Sequence, residues 1–132
     1  MERIIYISTA RQMPDAALVQ DILTSSRRNN RRDDLTGLLV VGGRRFLQVL
    51  EGPRAQIDAA YSRIRADDRH FAMVELSRKP IEERAFADWA MGCEQLDGDD
   101  LTELVDGLTE KLADADLRAQ FRTFVELHRK AA

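Results

Sequence analysis

Apolar positions in the amino-terminal part of the chain form short strand-like runs that alternate with longer helical stripes. Residues 3–9, "RIIYIST", are β-branched and aromatic, which favours a strand. Residues 14–29 open with a Pro-Asp pair, and their apolar side chains recur at helical spacing. Those helical positions are Ala17, Leu18, Ile22 and Leu23. The chain is therefore predicted to begin with a strand followed by a helix.

The middle of the chain repeats this alternation. "LTGLLVV" and "RRFLQVLEG" predict two strands joined by Gly42-Gly43, because both glycines tolerate the positive φ of a two-residue hairpin turn. Residues 52–68 open with Gly-Pro and predict a second helix. Its apolar face is Ile57, Ala60, Tyr61 and Ile64.

Two further runs complete a β-α-β-β-α-β-β order. "FAMVELSRK" predicts a fourth strand and "RAFADWAMGCE" a weaker fifth strand. The first six elements have the order of a ferredoxin-like α+β fold, in which two helices cover one face of the sheet. We therefore expect a mixed sheet of five strands with both helices on one face.

A break at "LDGDD" divides the chain into residues 1–96 and an extension of residues 97–132. Residues 100–113 and 115–129 of the extension predict two amphipathic helices. Their apolar positions are Leu101, Leu104, Val105, Leu108 and Leu112, followed by Leu117, Phe121, Phe124, Val125 and Leu127. Each face is too apolar to remain exposed, so we expect the helices to dock on the uncovered sheet face or on a partner.

Composition and charge exclude several classes of protein. The chain has 132 residues, 44% of them hydrophobic and 33% charged, which is typical of one globular domain. The net charge of −3 gives no support for binding to nucleic acid or to a membrane surface, and no apolar run approaches the roughly 20 residues of a membrane span. A single cysteine, Cys93, excludes an internal disulfide and fits a reducing compartment. We expect a cytoplasmic protein without nucleic-acid or membrane partners.

Familiar catalytic and metal-binding motifs are missing from the sequence. The two histidines, His70 and His128, are far apart, and the lone cysteine has no second cysteine beside it, so no metal-ligand spacing is present. Cys93 near a strand end is interpreted as packing, with a Cys-His nucleophile pair as the alternative. The basic run 27–32 is interpreted as a solvated helix end, with contact to a phosphate or a partner as the alternative.

Polar side chains inside apolar strands raise a different question. In a regular strand Phe46, Gln48 and Leu50 share one face, while the other face is also apolar, so Gln48 is buried in either orientation. A buried amide needs hydrogen-bond partners. Tyr6 lies in the first strand, on the same face as Ser8, and its hydroxyl can reach a neighbouring strand. Tyr6 and Gln48 are therefore candidates for a buried pair, which is either a core polar contact or part of a functional site.

Two other pairs allow a structural and a functional interpretation. Asn29 and Asn30 end the first predicted helix, where asparagine caps a helix because it tolerates the left-handed conformation. Trp89 and Met91 share one face of the fifth predicted strand, where large apolar residues fill a core. Pattern alone does not distinguish these structural roles from roles in a site.

Taken together, these segments resemble the BLUF family, the blue-light sensors that use flavin. The matching segments are, in order, "IIYIS", "SSRRNN", "LTGLLV", "FLQVLEG", "RIRADDRH" and "RAFADWAMG". Each is weak alone, but all of them in this order over residues 3–92 are specific. The resemblance implies a ferredoxin-like sheet with two helices on one face, in agreement with the order of elements predicted above.

The resemblance also implies a bound flavin between the two helices, usually FAD, with FMN or riboflavin as alternatives. The matching flavin-contacting positions are Tyr6, Ile22, Asn29, Asn30, Gln48, Ile64, Asp67 and His70. The two isoleucines match the residues beside the flavin ring, and Asn30 matches the asparagine that pairs with its pyrimidine edge. Asn29 matches the position next to it, and Asp67 and His70 match positions near the ring or the ribityl chain.

The photochemistry implied by the resemblance centres on Tyr6 and Gln48, with the glutamine between the tyrosine hydroxyl and N5 and O4 of the flavin. Light moves an electron and a proton from Tyr6, and recombination leaves the Gln48 amide rotated or tautomerised. Trp89 and Met91 match residues that relay this change. Since only two helices are predicted after residue 96, the chain resembles short members of the family that act on a separate effector protein. The extension would then be a relay or a homo-oligomer surface.

Two other classes of function compete with this interpretation. A flavin-free ferredoxin-like interaction module would not need the complete set of Tyr6, Gln48 and Asn30. A small enzyme using Tyr6, His70 or Cys93 would need a nucleophile, a base and an orienting group, which cannot be placed together from the sequence. The sequence therefore favours a photoreceptor that is not an enzyme.

Overall fold

A computed structural model describes residues 1–96, 118–119 and 122–123 of the chain. The elements are β1 (Glu2–Ala10), α1 (Ala16–Asp33), β2 (Thr36–Gly42), β3 (Arg45–Gly52), α2 (Arg54–Arg65), β4 (His70–Pro80) and β5 (Gly92–Leu96). The predicted order is confirmed. The helices predicted over 100–113 and 115–129 lie outside the described residues, apart from 118–119 and 122–123, which are helical.

The strands form one sheet in the order β4-β1-β3-β2-β5. Strand β3 lies between β1 and β2 and is antiparallel to both, and β4 is antiparallel to β1. Strand β5 runs parallel to β2, so the sheet is mixed. This is the predicted ferredoxin-like α+β topology with a fifth strand at one edge.

The register places Tyr6 directly opposite Gln48, and Gln48 directly opposite Leu39 on its other side. Directly paired residues point to the same face, so these side chains lie in one row across three strands. The row faces α1 and α2, where the apolar stripes of the helices complete a core. That core is Ile4, Tyr6, Ala10, Val19, Leu23, Leu35, Leu39, Val41, Phe46, Leu50, Ile57, Ala60 and Met91.

The opposite face of the central strands is also buried, as the apolar pattern on both faces of β3 predicted. Its buried side chains are Ile5, Leu38, Val40, Leu47 and Val49. Strand alternation therefore gives Gln48 a buried position whichever face it takes, and the register assigns it to the helical face.

The first helix is longer than predicted. The sequence placed its end at Asn29-Asn30, but α1 continues to Asp33, and Asp34 takes the left-handed cap position with φ 57. Asp34 and Leu35 both direct their backbone N–H groups to the carbonyl oxygen of Asn30. The prediction that an asparagine caps the helix is wrong, because aspartate also tolerates the left-handed conformation and ends the helix instead.

The hairpin turn is shifted by one residue from the predicted Gly42-Gly43. Gly42 still pairs with Arg45, so the two turn residues are Gly43 and Arg44. Gly43 has φ 58, the left-handed value that glycine adopts without steric cost. The glycine pair marks the turn correctly but does not determine which of its residues remains in the ladder.

The fifth strand begins later than predicted. The sequence placed it over residues 84–94, but β5 is Gly92–Leu96, and Trp89 and Met91 precede it. They do not share a strand face: Met91 is 2% exposed and Trp89 is 42% exposed. A turn replaces the strand here, since the Trp89 N–H donates to the carbonyl oxygen of Phe86.

Candidate functional site

A cleft opens between α1 and α2 on the helical face of the sheet, with a volume of about 410 Å³ including its open mouth. Its lining residues are Ser8, Ile22, Leu39, Phe46, Gln48, Ile64, Asp67, Arg69 and His70. One isoleucine comes from each helix, and strand residues form the bottom of the cleft. The cleft thus has apolar walls and a few polar groups, the usual character of a small-molecule site.

The two isoleucines lie at the edges of the helical stripes. Val19 and Leu23 of α1 are buried against the sheet, whereas Ile22 is half-buried. In α2 Ile57 is buried and Ile64, about two turns later, is half-buried. Each helix therefore presents one aliphatic side chain to the cleft and uses the rest of its stripe for the core.

Gln48 lies at the bottom of the cleft and forms a hydrogen-bonded pair with Tyr6, which is not among the lining residues. The Tyr6 hydroxyl donates to Oε1 of Gln48, and both side chains are buried. With this amide orientation Nε2 faces the sulfur of Met91 at 3.8 Å. A thioether is a weak acceptor. Among the described residues the Gln48 amide therefore makes a strong hydrogen bond through its oxygen and only a weak one through its N–H groups. The predicted buried pair is confirmed as a contact.

Burial raises the pKa of Tyr6 well above its ordinary value of 10.0. The neighbouring Tyr61, whose ring meets the Tyr6 ring edge-on at 5.6 Å, and the Asp67 carboxylate add to the increase, while Arg63 opposes it. The Tyr6 hydroxyl therefore keeps its proton at neutral pH and acts as a donor to Gln48.

The folded state is expected to lose stability above about pH 10 through Tyr6. The folded chain binds this proton more tightly than the unfolded chain, so the stabilisation is complete below pH 10 and is lost as the pH rises toward the higher folded pKa. Urea unfolding between about pH 8 and 11 should show a steeper loss in the wild type than in Tyr6→Phe, by at most about 1.4 kcal/mol per pH unit. Equal slopes would contradict this prediction.

His70 connects the end of α2 to the strands. Its Nε2 donates to the carbonyl oxygen of Ile64 at 2.6 Å, because a carbonyl oxygen only accepts. In the neutral ring Nδ1 then accepts from the Ser8 hydroxyl at 2.7 Å. Both ring nitrogens are engaged, so His70 holds Ile64 at one wall of the cleft.

An ion pair lies at the rim of the cleft. Arg69 binds the Asp67 carboxylate through its guanidinium, with 2.5 Å between Nη2 and Oδ2, and through its backbone N–H. The hydrogen bond from Arg69 lowers the pKa of Asp67, although partial burial opposes the change. Asp67 is therefore ionised at neutral pH.

The asparagine pair does not line this cleft. Asn30 is buried, and its Nδ2 donates to the carbonyl oxygen of Ala90 at 2.6 Å. One turn earlier, Arg27 donates to the carbonyl oxygen of Met91 at 3.0 Å. Asn29 is half-buried. The structure thus connects the end of α1 to the residues before β5, and the flavin contacts assigned to Asn29 and Asn30 stay predictions.

Sequence reasoning missed four residues of the cleft lining: Ser8, Leu39, Phe46 and Arg69. Ser8 and Phe46 share the strand faces of Tyr6 and Gln48, so alternation alone would have included them. Leu39 required the register of β2 against β3. Of the residues that were predicted, the structure brings Ile22, Gln48, Ile64, Asp67 and His70 together around the cleft.

Comparison with protein families gives one match over most of the chain. The profile of the BLUF family, "Sensors of blue-light using FAD", matches residues 1–92. The Blue light- and temperature-regulated antirepressor BluF of Escherichia coli (strain K12) is 36% identical over 73 residues, which are 55% of this chain and 18% of that protein. The Photoactivated adenylate cyclase subunit beta of Euglena longa is 34% identical over 87 residues, 65% of this chain and 10% of that protein. The matches therefore span less than a fifth of these relatives.

Solved structures give matches over nearly the whole chain. BlrB, a BLUF protein in its dark state, is 30% identical with a TM-score of 0.74, and the match covers 97% of this chain and 92% of that one. A bacterial light-regulated adenylyl cyclase is also 30% identical with a TM-score of 0.74, over 98% of this chain and 35% of that one. The fold is thus found both in short chains and as part of longer ones.

Proposed function

Because the chain belongs to the BLUF family of blue-light sensors that use FAD, we propose that Tyr6 and Gln48 are its light-operated switch and that it signals to a separate effector protein. The matched region is a sensor and not an enzyme. The observation that carries the proposal is the hydrogen bond from the Tyr6 hydroxyl to Oε1 of Gln48 at the bottom of the cleft. It joins a buried phenol to an amide whose N–H groups meet no acceptor stronger than the Met91 sulfur among the described residues.

The residues of the cleft fit a flavin. Ile22 and Ile64 present aliphatic surface from opposite helices, which suits the two faces of a flat aromatic ring. Within the part of the chain that the structure describes, Nε2 of Gln48 has only the Met91 sulfur as a weak acceptor, so it can donate to the nitrogen or carbonyl groups of such a ring. Asp67 and Arg69 at the rim supply polar groups for a hydrophilic substituent.

When bound, the flavin supplies blue-light absorption and an acceptor for one electron and one proton. Tyr6 holds its proton on the hydroxyl, in contact with Oε1 of Gln48. If the Gln48 amide turns over, its NH₂ group faces the Tyr6 oxygen and its carbonyl oxygen faces the Met91 sulfur. The Gln48 carbonyl oxygen and the Met91 sulfur are both acceptors, so the hydrogen bond with Met91 is lost. Each hydrogen bond gained or lost changes the free energy by about 1 kcal/mol, which is enough to change the populations of two packings of similar energy.

The residues around Met91 connect the site to α1 and to the protein surface. Its carbonyl oxygen accepts from Arg27, and the preceding carbonyl oxygen of Ala90 accepts from Asn30, so both are joined to α1. Trp89, two residues earlier, is 42% exposed. A displacement of Met91 is thereby coupled to an exposed aromatic side chain, in keeping with the relay predicted for Trp89 and Met91.

The effector is proposed to be a separate protein. Two relatives are named as an antirepressor and as a subunit of an adenylate cyclase, and the chain matches only a small part of each. Neither described helix is long and apolar enough to cross a membrane. The homo-oligomer, the cytoplasmic location and the role of residues 97–132 stay predictions.

Illumination of the wild-type protein reconstituted with FAD tests the proposal. We expect a yellow protein with a flavin spectrum that shifts to longer wavelength under blue light and returns in the dark, without net reduction of the flavin. The shift reports a changed hydrogen bond to the ring. A protein that stays colourless after incubation with FAD would instead support the flavin-free interaction module.

A further inference from the structure

Residues 81–91 connect β4 to β5 without regular structure, and we call their last eight residues the 84–91 segment. Its last residues contact the switch region: the Met91 sulfur meets Gln48, and the Ala90 carbonyl oxygen accepts from Asn30. Its first residues contact Glu51, whose side chain lies on the face of β3 opposite to Gln48. The segment is therefore held at both ends by neighbouring parts of the sheet.

A buried carboxylate, Glu51, holds the beginning of the segment. Its side chain is 0% exposed, and its oxygens accept from the backbone N–H of Ala85 at 3.0 Å and of Phe86 at 2.8 Å. Arg3, directly opposite on β1, binds the same carboxylate through Nε at 2.9 Å and Nη2 at 2.7 Å. The carboxylate thus joins the central strands to two consecutive amides of the segment.

Further contacts connect this anchored end to the rest of the segment. Phe86 is buried and stacks on Trp89, with 5.8 Å between ring centroids, and its carbonyl oxygen accepts from the Trp89 N–H. The Trp89 carbonyl oxygen in turn accepts from the N–H of Gly37 on β2. A Cβ at Gly92 would lie 2.6 Å from the Trp89 ring, so the ring packs directly on the start of β5. Phe86 and Trp89 therefore form one compact turn.

We propose that the buried Arg3–Glu51 pair positions the 84–91 segment, so that Met91 stays beside Gln48 and the Trp89 turn responds when that contact changes. Gln48 and Glu51 lie on one strand, three residues apart and on opposite faces. Glu51 is a fixed attachment, as is Arg84, which donates to the Asp34 carbonyl oxygen at 2.9 Å. Gln48 is the attachment that changes. The last step of this inference, the response to light, rests on the proposed function. The anchoring itself does not.

Charge explains why a carboxylate suits this position. An ionised carboxylate accepts several hydrogen bonds at once, and each is stronger than a bond to a neutral acceptor. Its burial requires a compensating cation, which Arg3 supplies directly across the strands. A glutamine at position 51 would keep one acceptor oxygen but turn an N–H group toward a backbone donor, so only one of the two amide contacts would persist.

Fluorescence of Trp89, the only tryptophan of the chain, tests the anchoring without flavin. We compare acrylamide quenching in the wild type, in Glu51→Gln and in the double variant Arg3→Met/Glu51→Gln. The double variant removes both charges of the pair and serves if the single variant fails to fold. Loss of an anchor raises local opening, so the quenching constant should increase about twofold or more in each folded variant. Glu2→Gln is the matched control, because the ion pairs of Glu2 within the described residues are with Arg78 and Arg54, which lie outside the 84–91 segment.

The same proteins loaded with FAD test the response to light. Tyr6 and Gln48 are intact in the double variant, so its absorption shift should persist, while the light-induced change in Trp89 quenching should fall to about half of the wild-type change or less. A quenching constant equal to the wild-type value in the folded, flavin-free double variant would overturn the anchoring. A full light-induced change in that variant would overturn the coupling. A wild type without any absorption shift would refute the proposed function and leave the flavin-free result to decide on the anchor.

Discussion

Gln48→Leu is expected to retain bound FAD and to lose the light-induced absorption shift completely. Leucine has a similar volume, so the bottom of the cleft keeps its shape and the walls formed by Ile22 and Ile64 are preserved. It has no donor and no acceptor, so nothing at this position can exchange its hydrogen bonds with Tyr6. The result follows from the contact of Gln48 with the Tyr6 hydroxyl on one side and the Met91 sulfur on the other.

The variant also leaves the Tyr6 hydroxyl without its acceptor inside the core. An unsatisfied buried hydroxyl destabilises a protein by about 1–3 kcal/mol, which a folded domain of this size tolerates. Urea unfolding should therefore show a lower free energy of unfolding, and reconstitution should still give a yellow protein. Tyr6→Phe/Gln48→Leu removes both polar groups and should recover part of the lost stability.

The matched control is Gln20→Leu, the same substitution on the exposed side of α1, where the Gln20 side chain donates to Thr24 of its own helix. This variant should show the wild-type shift and nearly the wild-type stability. Difference spectra recorded in the dark and under blue light distinguish the two glutamines. A normal shift in Gln48→Leu would show that the switch does not depend on this amide.

The contact between Tyr6 and Gln48 was predictable from the sequence because strand alternation is strict. Side chains of a strand alternate between its faces, and both faces of the runs that contain Tyr6 and Gln48 are apolar, so the Gln48 amide is buried and must find a partner. The direct cross-strand pairing between them is a consequence of topology, since β3 lies next to β1 in the ferredoxin-like order. Local pattern and overall fold therefore indicate the same contact.

The residues before β5 could not be predicted in the same way. "RAFADWAMG" has the apolar alternation of a strand, but the N–H groups of Ala85 and Phe86 are bound by Glu51, which lies 34 and 35 positions earlier in the chain. No rule based on neighbouring residues in the sequence predicts so distant an acceptor. The positions of Trp89 and Met91 depend on this distant contact, and so their predicted common face was wrong.

The end of α1 shows a similar limit. Asn30 and Asp34 are both able to take the left-handed cap position, and the choice between them depends on what each side chain contacts. Asn30 is buried and donates to the Ala90 carbonyl oxygen, which requires it to remain inside the helix. Asp34 is exposed and ends the helix. The partner of Asn30 is again 60 residues away in the sequence.

Arg3→Met is expected to destabilise the folded state by about 3–5 kcal/mol, because it leaves the Glu51 carboxylate buried and uncompensated. Adding Glu51→Gln removes the charge but keeps an acceptor for one backbone amide, so the double variant should be more stable than Arg3→Met alone. The comparison is the Arg78–Glu2 pair at the same end of the sheet, which is more accessible to solvent. Glu2→Gln should change the free energy of unfolding by at most about 1 kcal/mol. Urea unfolding of the four proteins measures these differences, and a double variant less stable than Arg3→Met would show that Glu51 stabilises the fold without its cation.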